Sequence, residues 1–181
     1  MELLILQHPL EVANAKNSAR LLHLSVAGSV LEVGEAFDGE RLERLLHGGG
    51  RVPLLLYPET PRVATPGVAT PGVATPGVAT PGPAPPELRL VVLDATWRKS
   101  RKMLYLNPVL QTLTRLALDD APASNYRIRK AHAPHQLSTL EATAYALAQL
   151  EGAVAPYRPL LDAFDGFVAQ QAAFTSRLNS D

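Results

Sequence analysis

Leu90-Val91-Val92-Leu93 is an unbroken aliphatic run that ends on a carboxylate, Asp94. A strand with one wet face alternates apolar and polar residues, whereas a strand that is apolar at every position has to be covered on both faces. Apolar strand candidates also occur at Leu3 to Leu6, at Val30 to Val33, and at Pro53-Leu54-Leu55-Leu56-Tyr57-Pro58. Between them lie stretches that read as helices: one within Glu11 to Leu24, one around Gly39 to His47, and one over Trp97 to Leu106. Asn107-Pro108 should end the last of these, because the residue before a proline is pushed out of the helical region. Strands without alternation, separated by helices, predict an α/β fold with a mostly parallel sheet and helices on both faces. With 181 residues, 46% of them hydrophobic, the chain suffices for a single domain and is short for two.

Composition removes several chemistries. There is no cysteine, which excludes disulfides, thiolate zinc sites and thiolate nucleophiles. The histidines lack the spacing of zinc ligands on a helix, so no metal site is expected. Lysine and arginine balance aspartate and glutamate at 17 each, so any contact with nucleic acid has to come from a local patch. The opening Met1-Glu2-Leu3-Leu4-Ile5-Leu6-Gln7-His8-Pro9 is acidic where a signal peptide is basic, and its apolar run is short. It reads as a first buried strand rather than a targeting or membrane segment, and a cytoplasmic location is expected.

One segment breaks the rhythm of strands and helices. Val63-Ala64-Thr65-Pro66-Gly67 repeats four times through Gly82 and runs into Pro83-Ala84-Pro85-Pro86. With no charge and no bulky side chain to bury, such a tract cannot offset the entropy of ordering itself. Residues 61–87 are therefore expected to be a flexible low-complexity insertion between two core strands, a kind of insertion that costs little closure entropy.

The junction after Asp94 concentrates chemistry. Ala95-Thr96 leads to the single tryptophan, Trp97, and then to Arg98-Lys99-Ser100-Arg101-Lys102-Met103-Leu104. At about 100° per residue, Trp97, Ser100, Met103 and Leu104 share one arc and the four cations lie opposite. That makes an amphipathic helix whose basic outer face is either merely solvated or available to phosphates. Asp94 reads as the helix N-cap, as a group at the strand-end position where α/β proteins hold ligands, or as both. Tyr126-Arg127-Ile128-Arg129-Lys130 forms a second basic cluster, either an exposed edge strand or an RNA-contacting loop. Farther on, Ser138 and Glu141 have the spacing of a capping box, opening a helix that runs to about Leu150 and stops near Gly152. The free N–H groups of that helix start are suited to an anionic group such as the carboxylate of an amino-acid-like cofactor.

Taken in order, Leu6-Gln7-His8-Pro9 with Glu11, Asn17-Ser18 and Arg20, then Leu56-Tyr57-Pro58, Asp94-Ala95-Thr96-Trp97, Tyr126-Arg127-Ile128-Arg129-Lys130 and Ser138-Thr139-Leu140-Glu141-Ala142 resemble the motifs of the DTW-domain family. The resemblance covers nearly the whole chain apart from the pentapeptide tract and about the last thirty residues, and five motifs in order are far more specific than any one. It implies a single domain over residues 1–181 with a SPOUT-like, trefoil-knotted α/β fold. The activity it implies is transfer of the 3-amino-3-carboxypropyl group of S-adenosyl-L-methionine to N3 of a tRNA uridine. This chain begins directly at its first strand, without the cysteine-rich segment with which many members begin, and Ser18 stands where threonine is common.

Carried over residue by residue, the resemblance implies that Asp94, Trp97, Leu137, Ser138, Thr139 and Ala142 line the cofactor pocket, and the loop of Leu56, Tyr57 and Pro58 is expected beside it, so that these residues other than Asp94 are the candidate cofactor-binding residues. Uridine N3 carries a weakly acidic imide proton that a carboxylate within hydrogen-bond reach can take, which makes Asp94 the candidate catalytic base. Arg98, Arg101, Lys102, Arg127, Arg129 and Lys130 would then hold tRNA phosphates. Two other readings use the same residues: a SPOUT-like RNA methyltransferase with the methyl group turned toward the substrate, and a non-catalytic RNA-binding domain that keeps the basic patch.

Overall fold

The computed structural model describes residues 1–14, 17–58, 84, 87–118 and 137–178. Its strands are β1 (Glu2–Gln7), β2 (Val30–Val33), β3 (Val52–Leu56), β4 (Leu88–Asp94) and β5 (Thr114–Leu116). They form one five-stranded sheet in the order β2-β1-β4-β3-β5, and every pairing is parallel. The helices are α1 (Ser18–Ser25), α2 (Gly39–His47), α3 (Trp97–Leu106), α4 (Pro108–Thr112), α5 (Thr139–Glu151) and α6 (Arg158–Leu178). Among the described residues no helix is long and apolar enough to cross a membrane.

The unbroken aliphatic strands have the consequence expected of them. Side chains alternate across the sheet, so Leu3 and Ile5 of β1 and Leu90 and Val92 of β4 join Ala19 and Leu22 of α1, Leu140 and Leu147 of α5, and Phe164 of α6 in one core. Leu4 and Leu6 of β1 and Val91 of β4 point the other way, into Leu42 and Leu46 of α2, Met103 and Leu104 of α3 and Leu110 of α4. Helices α1, α5 and α6 thus cover one face, and α2, α3 and α4 the other. A buried leucine or isoleucine contributes about 1.5–3 kcal/mol. Every residue from Leu3 to Leu6 is at most 3% exposed, so β1 is a principal anchor of both layers.

Local signals set the boundaries. Strand β2 and helix α2 occupy the residues their patterns predict, and Asp38 caps α2 by accepting from the Arg41 N–H at 2.9 Å. Asn107, at φ −125° and ψ 79°, ends α3 as predicted, but Pro108 then serves as the first residue of a new short helix, the position where its missing N–H costs nothing. Gly152, at φ 65°, closes α5 in the left-handed conformation that favours glycine. Three-residue β5 and the long α6 were not predicted. β5 is too short to display a period, and its Thr-Arg-Leu sequence carries no strand signal of its own. The pentapeptide tract and the passage from β5 to α5, on which the expected knot depends, lie outside the described residues.

The amino-terminal edge of the sheet is held by ions rather than oil. Glu2 stands beside Arg89 in the β1–β4 register and accepts from its guanidinium, while Arg51 Nε donates to the other Glu2 oxygen at 3.0 Å. Arg89 also donates to the carbonyls of Leu45 and Gly48, tying the end of α2 to the strand edge. The hydrogen bond from Arg89 holds the Glu2 carboxyl below its usual range, against an opposing push from desolvation.

Since the folded value lies below the unfolded one, the contribution of Glu2 is complete at neutral pH and is lost as pH falls through the folded value. Glu2→Gln should lower stability in urea by about 1 kcal/mol at pH 7, an amount limited by solvent screening because the carboxylate is partly exposed. The difference from the parent protein should shrink as pH drops below about 4. An equal deficit at pH 7 and in acid would show that the ion pairs are not its source.

Candidate active site

Asp94 is the last residue of β4, and in the parallel register its partner is Gln7, the last residue of β1. From Gln7 the chain leaves toward α1 on one face, and from Asp94 toward α3 on the other. Divergence of this kind opens a crevice at the carboxyl ends of adjacent strands, the usual ligand position in open parallel sheets. The His8 N–H donates to the Asp94 carbonyl at 3.0 Å and the Gly34 N–H to the Gln7 carbonyl at 2.9 Å, so the floor of the crevice is still hydrogen-bonded sheet.

Two donors lock the Asp94 carboxylate. The Gln7 side-chain amide donates to Oδ2 at 2.8 Å, and Thr139 Oγ1, on the first residue of α5, donates to Oδ1 at 2.6 Å. The second Gln7 N–H goes to Asn17 Oδ1 at 2.9 Å, which also accepts from the Arg20 N–H and so caps α1. Asp94 is only 8% exposed, and each oxygen keeps acceptor capacity beyond its one donor among the described residues. The N-cap reading of Asp94 is therefore corrected. Thr96 occupies the cap position of α3 and makes no side-chain cap bond, and the Asp94 carboxylate turns toward β1 and α5.

The predicted capping box is present. Ser138 N–H donates to Glu141 Oε2 at 2.8 Å and Glu141 N–H donates to Ser138 Oγ at 3.2 Å, with both side chains buried. The Ser138 hydroxyl is thus occupied by its own helix, and Thr139 is the residue at this terminus that reaches the crevice carboxylate. Leu137 precedes the cap, and Ala142 lies within the first turn, both partly buried.

An aromatic wall stands at the next strand. Tyr57 follows β3, its N–H donating to the Leu116 carbonyl of β5 at 3.1 Å. Its ring meets Trp97 edge to face, 5.6 Å between centroids at 73°, and its hydroxyl lies 3.1 Å from Ser100 Oγ of α3. The Arg115 guanidinium sits 5.3 Å from the same ring centroid and donates to the Pro58 carbonyl at 3.2 Å. Leu56, Tyr57 and Pro58 therefore end at the same sheet edge as Asp94. Trp97 departs from the helical-wheel expectation: Ser100, Met103 and Leu104 are buried, but Trp97 is 50% exposed. As the first residue of α3 it overhangs the strand ends, where Tyr57 meets it.

The cations of α3 are not equivalent. Arg98, Arg101 and Lys102 are exposed, while Lys99 is partly covered. Lys99 Nζ donates to Glu11 Oε1 at 2.7 Å and Lys102 Nζ to Glu35 Oε2 at 2.9 Å. Glu35 Oε1 also receives the buried His8 ring at 3.0 Å, whose Nδ1 accepts from the Leu10 N–H, so that Nε2 carries the proton. The bond from Lys102, and then that from His8, holds the Glu35 carboxyl below its usual range. Asn107 completes this side: its Oδ1 accepts from Phe37 N–H, and its Nδ2 donates to the carbonyls of Glu35 and Met103. Arg127, Arg129 and Lys130 lie outside the described residues. Among the described residues no group of histidine and carboxylate side chains is placed to hold a metal ion.

Sequence reasoning named Gln7, His8 and Asn17 within a motif and Asn107 as a helix end, but gave none of them a part in the site. The available signal was an amide or imidazole ending an otherwise aliphatic run, since a buried polar group at such a position needs a partner.

A DTW-domain profile matches residues 1–172. The Drosophila melanogaster protein named tRNA-uridine aminocarboxypropyltransferase 2 is 31% identical over 156 residues, covering 83% of this chain and 56% of the relative. The chain thus spans little more than half the length of the curated relative it matches. No solved structure matches.

Thr139→Val removes the hydroxyl and keeps the shape, leaving Asp94 Oδ1 without its donor. Hydrogen bonds to charged groups contribute about 1.5–3 kcal/mol, so urea denaturation should register a loss of that order, with Thr139→Ser close to the parent. A loss in Thr139→Ser with Thr139→Val close to the parent would mean that packing of the methyl group, and not the bond to Asp94, sets the stability of this junction.

Proposed function

The chain belongs to the DTW-domain family, and on that premise we propose that it is an S-adenosyl-L-methionine-dependent tRNA-uridine aminocarboxypropyltransferase acting at N3 of a uridine. The name of its Drosophila relative supports the reading. The observation that carries it is a locked carboxylate, an aromatic pair and two helix starts meeting at one strand-end crevice.

The donor has an aromatic base, a sulfonium and an amino-acid end, and the residues suit each part. Tyr57 and Trp97 offer aromatic surface for the base and the cationic sulfur. Leu56, Pro58, Leu137 and Ala142 supply partly exposed or apolar surface on either side of Asp94. The donor carboxylate suits a helix start, where unpaired N–H groups and the helix dipole favour an anion. That of α3 has no side-chain cap, while that of α5 has spent two groups on its capping box. When bound, the donor supplies an electrophilic γ-carbon whose bond to sulfur breaks with the electron pair leaving on a neutral thioether.

Asp94 is the general base. The N3 imide proton of uridine passes to a carboxylate lone pair that Gln7 and Thr139 leave free, and N3 forms the new bond to carbon. Gln7 and Thr139 are positioning residues, fixing the carboxylate plane from two sides so that the base meets the proton in a near-attack geometry. Choice of the γ-carbon over the methyl group follows from which carbon faces Asp94. Arg98 and Arg101 hold phosphates of the tRNA. Lys102, held in place by Glu35, is a further phosphate contact, and Arg127, Arg129 and Lys130 are candidates for the same role by residue type.

Asp94→Asn keeps the size of the side chain and removes the base. Transfer to tRNA should fall at least about 100-fold, while donor binding measured by calorimetry stays within a few fold of the parent. Undiminished transfer would remove Asp94 from the chemistry.

A further inference from the structure

The exposed side of α3 is not simply basic. Trp97, Arg101 and Tyr105 recur at every fourth residue, and Arg98 and Lys102 flank them, so that all five fall within about 140° of arc. Trp97 is 50% and Tyr105 78% exposed, and Arg98 and Arg101 are exposed as well. A tyrosine left this open contributes nothing to either core cluster. An isolated exposed aromatic needs no explanation. Two of them in line with two arginines, leading to a strand-end carboxylate, form a pattern with a purpose.

We propose that this face of α3 is a stacking platform for an unpaired RNA strand, with Tyr105 as its outer step, Trp97 as its inner step, and Arg98 and Arg101 on the phosphates. Charge favours a polyanion. Lys99 and Lys102 are tied to Glu11 and Glu35, but Arg98 and Arg101 have no carboxylate partner among the described residues. The aromatics favour a single strand over a duplex. Stacking on a side chain requires an exposed base face, which a paired and stacked helix withholds.

Dimensions agree as well. From Trp97 to Tyr105 the helix rises about 12 Å, room for about three or four bases at a stacked spacing of about 3.4 Å. Trp97 also touches Tyr57, and Asp94 lies three residues before it in the chain. A strand laid along the platform therefore runs toward the base, which deepens the reading of this site as an RNA-modifying one and rests on it.

The single tryptophan provides the readout. Trp97 emission is followed during titration with an unlabelled oligouridylate of about ten nucleotides, and with an RNA duplex of equal charge, without donor so that no transfer contributes. The platform predicts quenching by the single strand at an affinity at least about tenfold above that of the duplex. Tyr105→Ala should weaken single-strand binding roughly tenfold, as loss of one stacked base implies, and Tyr105→Phe should restore it. Replacing Arg98 and Arg101 together with Ala should reduce the salt dependence of binding by about 1.4 in log–log slope.

Equal affinity for duplex and single strand, or binding indifferent to Tyr105→Ala, would overturn the proposal. Because Tyr105 is so exposed, circular dichroism should be unchanged in its variants. Transfer assays report separately on the enzyme reading: loss of transfer with the platform intact counts against that reading alone.

Discussion

One buried carboxylate holds the working end of this molecule together. Asp94 accepts from Gln7 on the neighbouring strand and from Thr139 on a helix forty-five residues away in sequence, and Gln7 passes its second proton to the residue that caps α1. A nearly buried charge without such donors would cost several kcal/mol, so β1, β4, α1 and α5 are fixed relative to one another by a requirement of solvation. The same bonds leave the carboxylate in one orientation, facing the crevice that the diverging chain paths open. Stability and preorganisation are here a single arrangement.

Charge is divided between the two edges of the sheet. At the amino-terminal edge, Glu2 bridges Arg51 and Arg89 and the cluster is structural. At the carboxyl-terminal edge, Lys99 and Lys102 are drawn onto Glu11 and Glu35, anchoring the segments that follow β1 and β2 against α3. Among the described residues that leaves Arg98 and Arg101 as the open cations of the helix. A chain with no net charge can thus present a local polyanion-binding face, and guanidinium groups, which stack on bases as well as pairing with phosphate, suit an aromatic-lined one.

Much of the fold was legible because its signals are local or periodic. Unbroken aliphatic runs announced strands covered on both sides, Asn107-Pro108 announced a helix end, and Ser138 with Glu141 announced a helix start. The site was legible only in part. That Asp94, Tyr57, Trp97 and Thr139 belong together came from a family resemblance; that they meet at one crevice depends on strand order, which no window of sequence contains. Reading Asp94 as a cap failed for the same reason, since its donors lie on β1 and α5. Trp97 misled the helical wheel because a residue in the first turn projects past the strand ends rather than onto the sheet. His8, Gln7 and Asn107 are single polar residues whose partners appear only once the layers are assembled.

The same crevice would serve methyl transfer if the donor were turned, so the decisive quantity is which carbon reaches the RNA. Incubating the protein with tRNA and S-adenosyl-L-methionine labelled separately in its methyl and carboxypropyl carbons measures it directly. Aminocarboxypropyl transfer puts the carboxypropyl label into tRNA and leaves the methyl label on released methylthioadenosine. Methyl label in the tRNA, or no label at all, would contradict it.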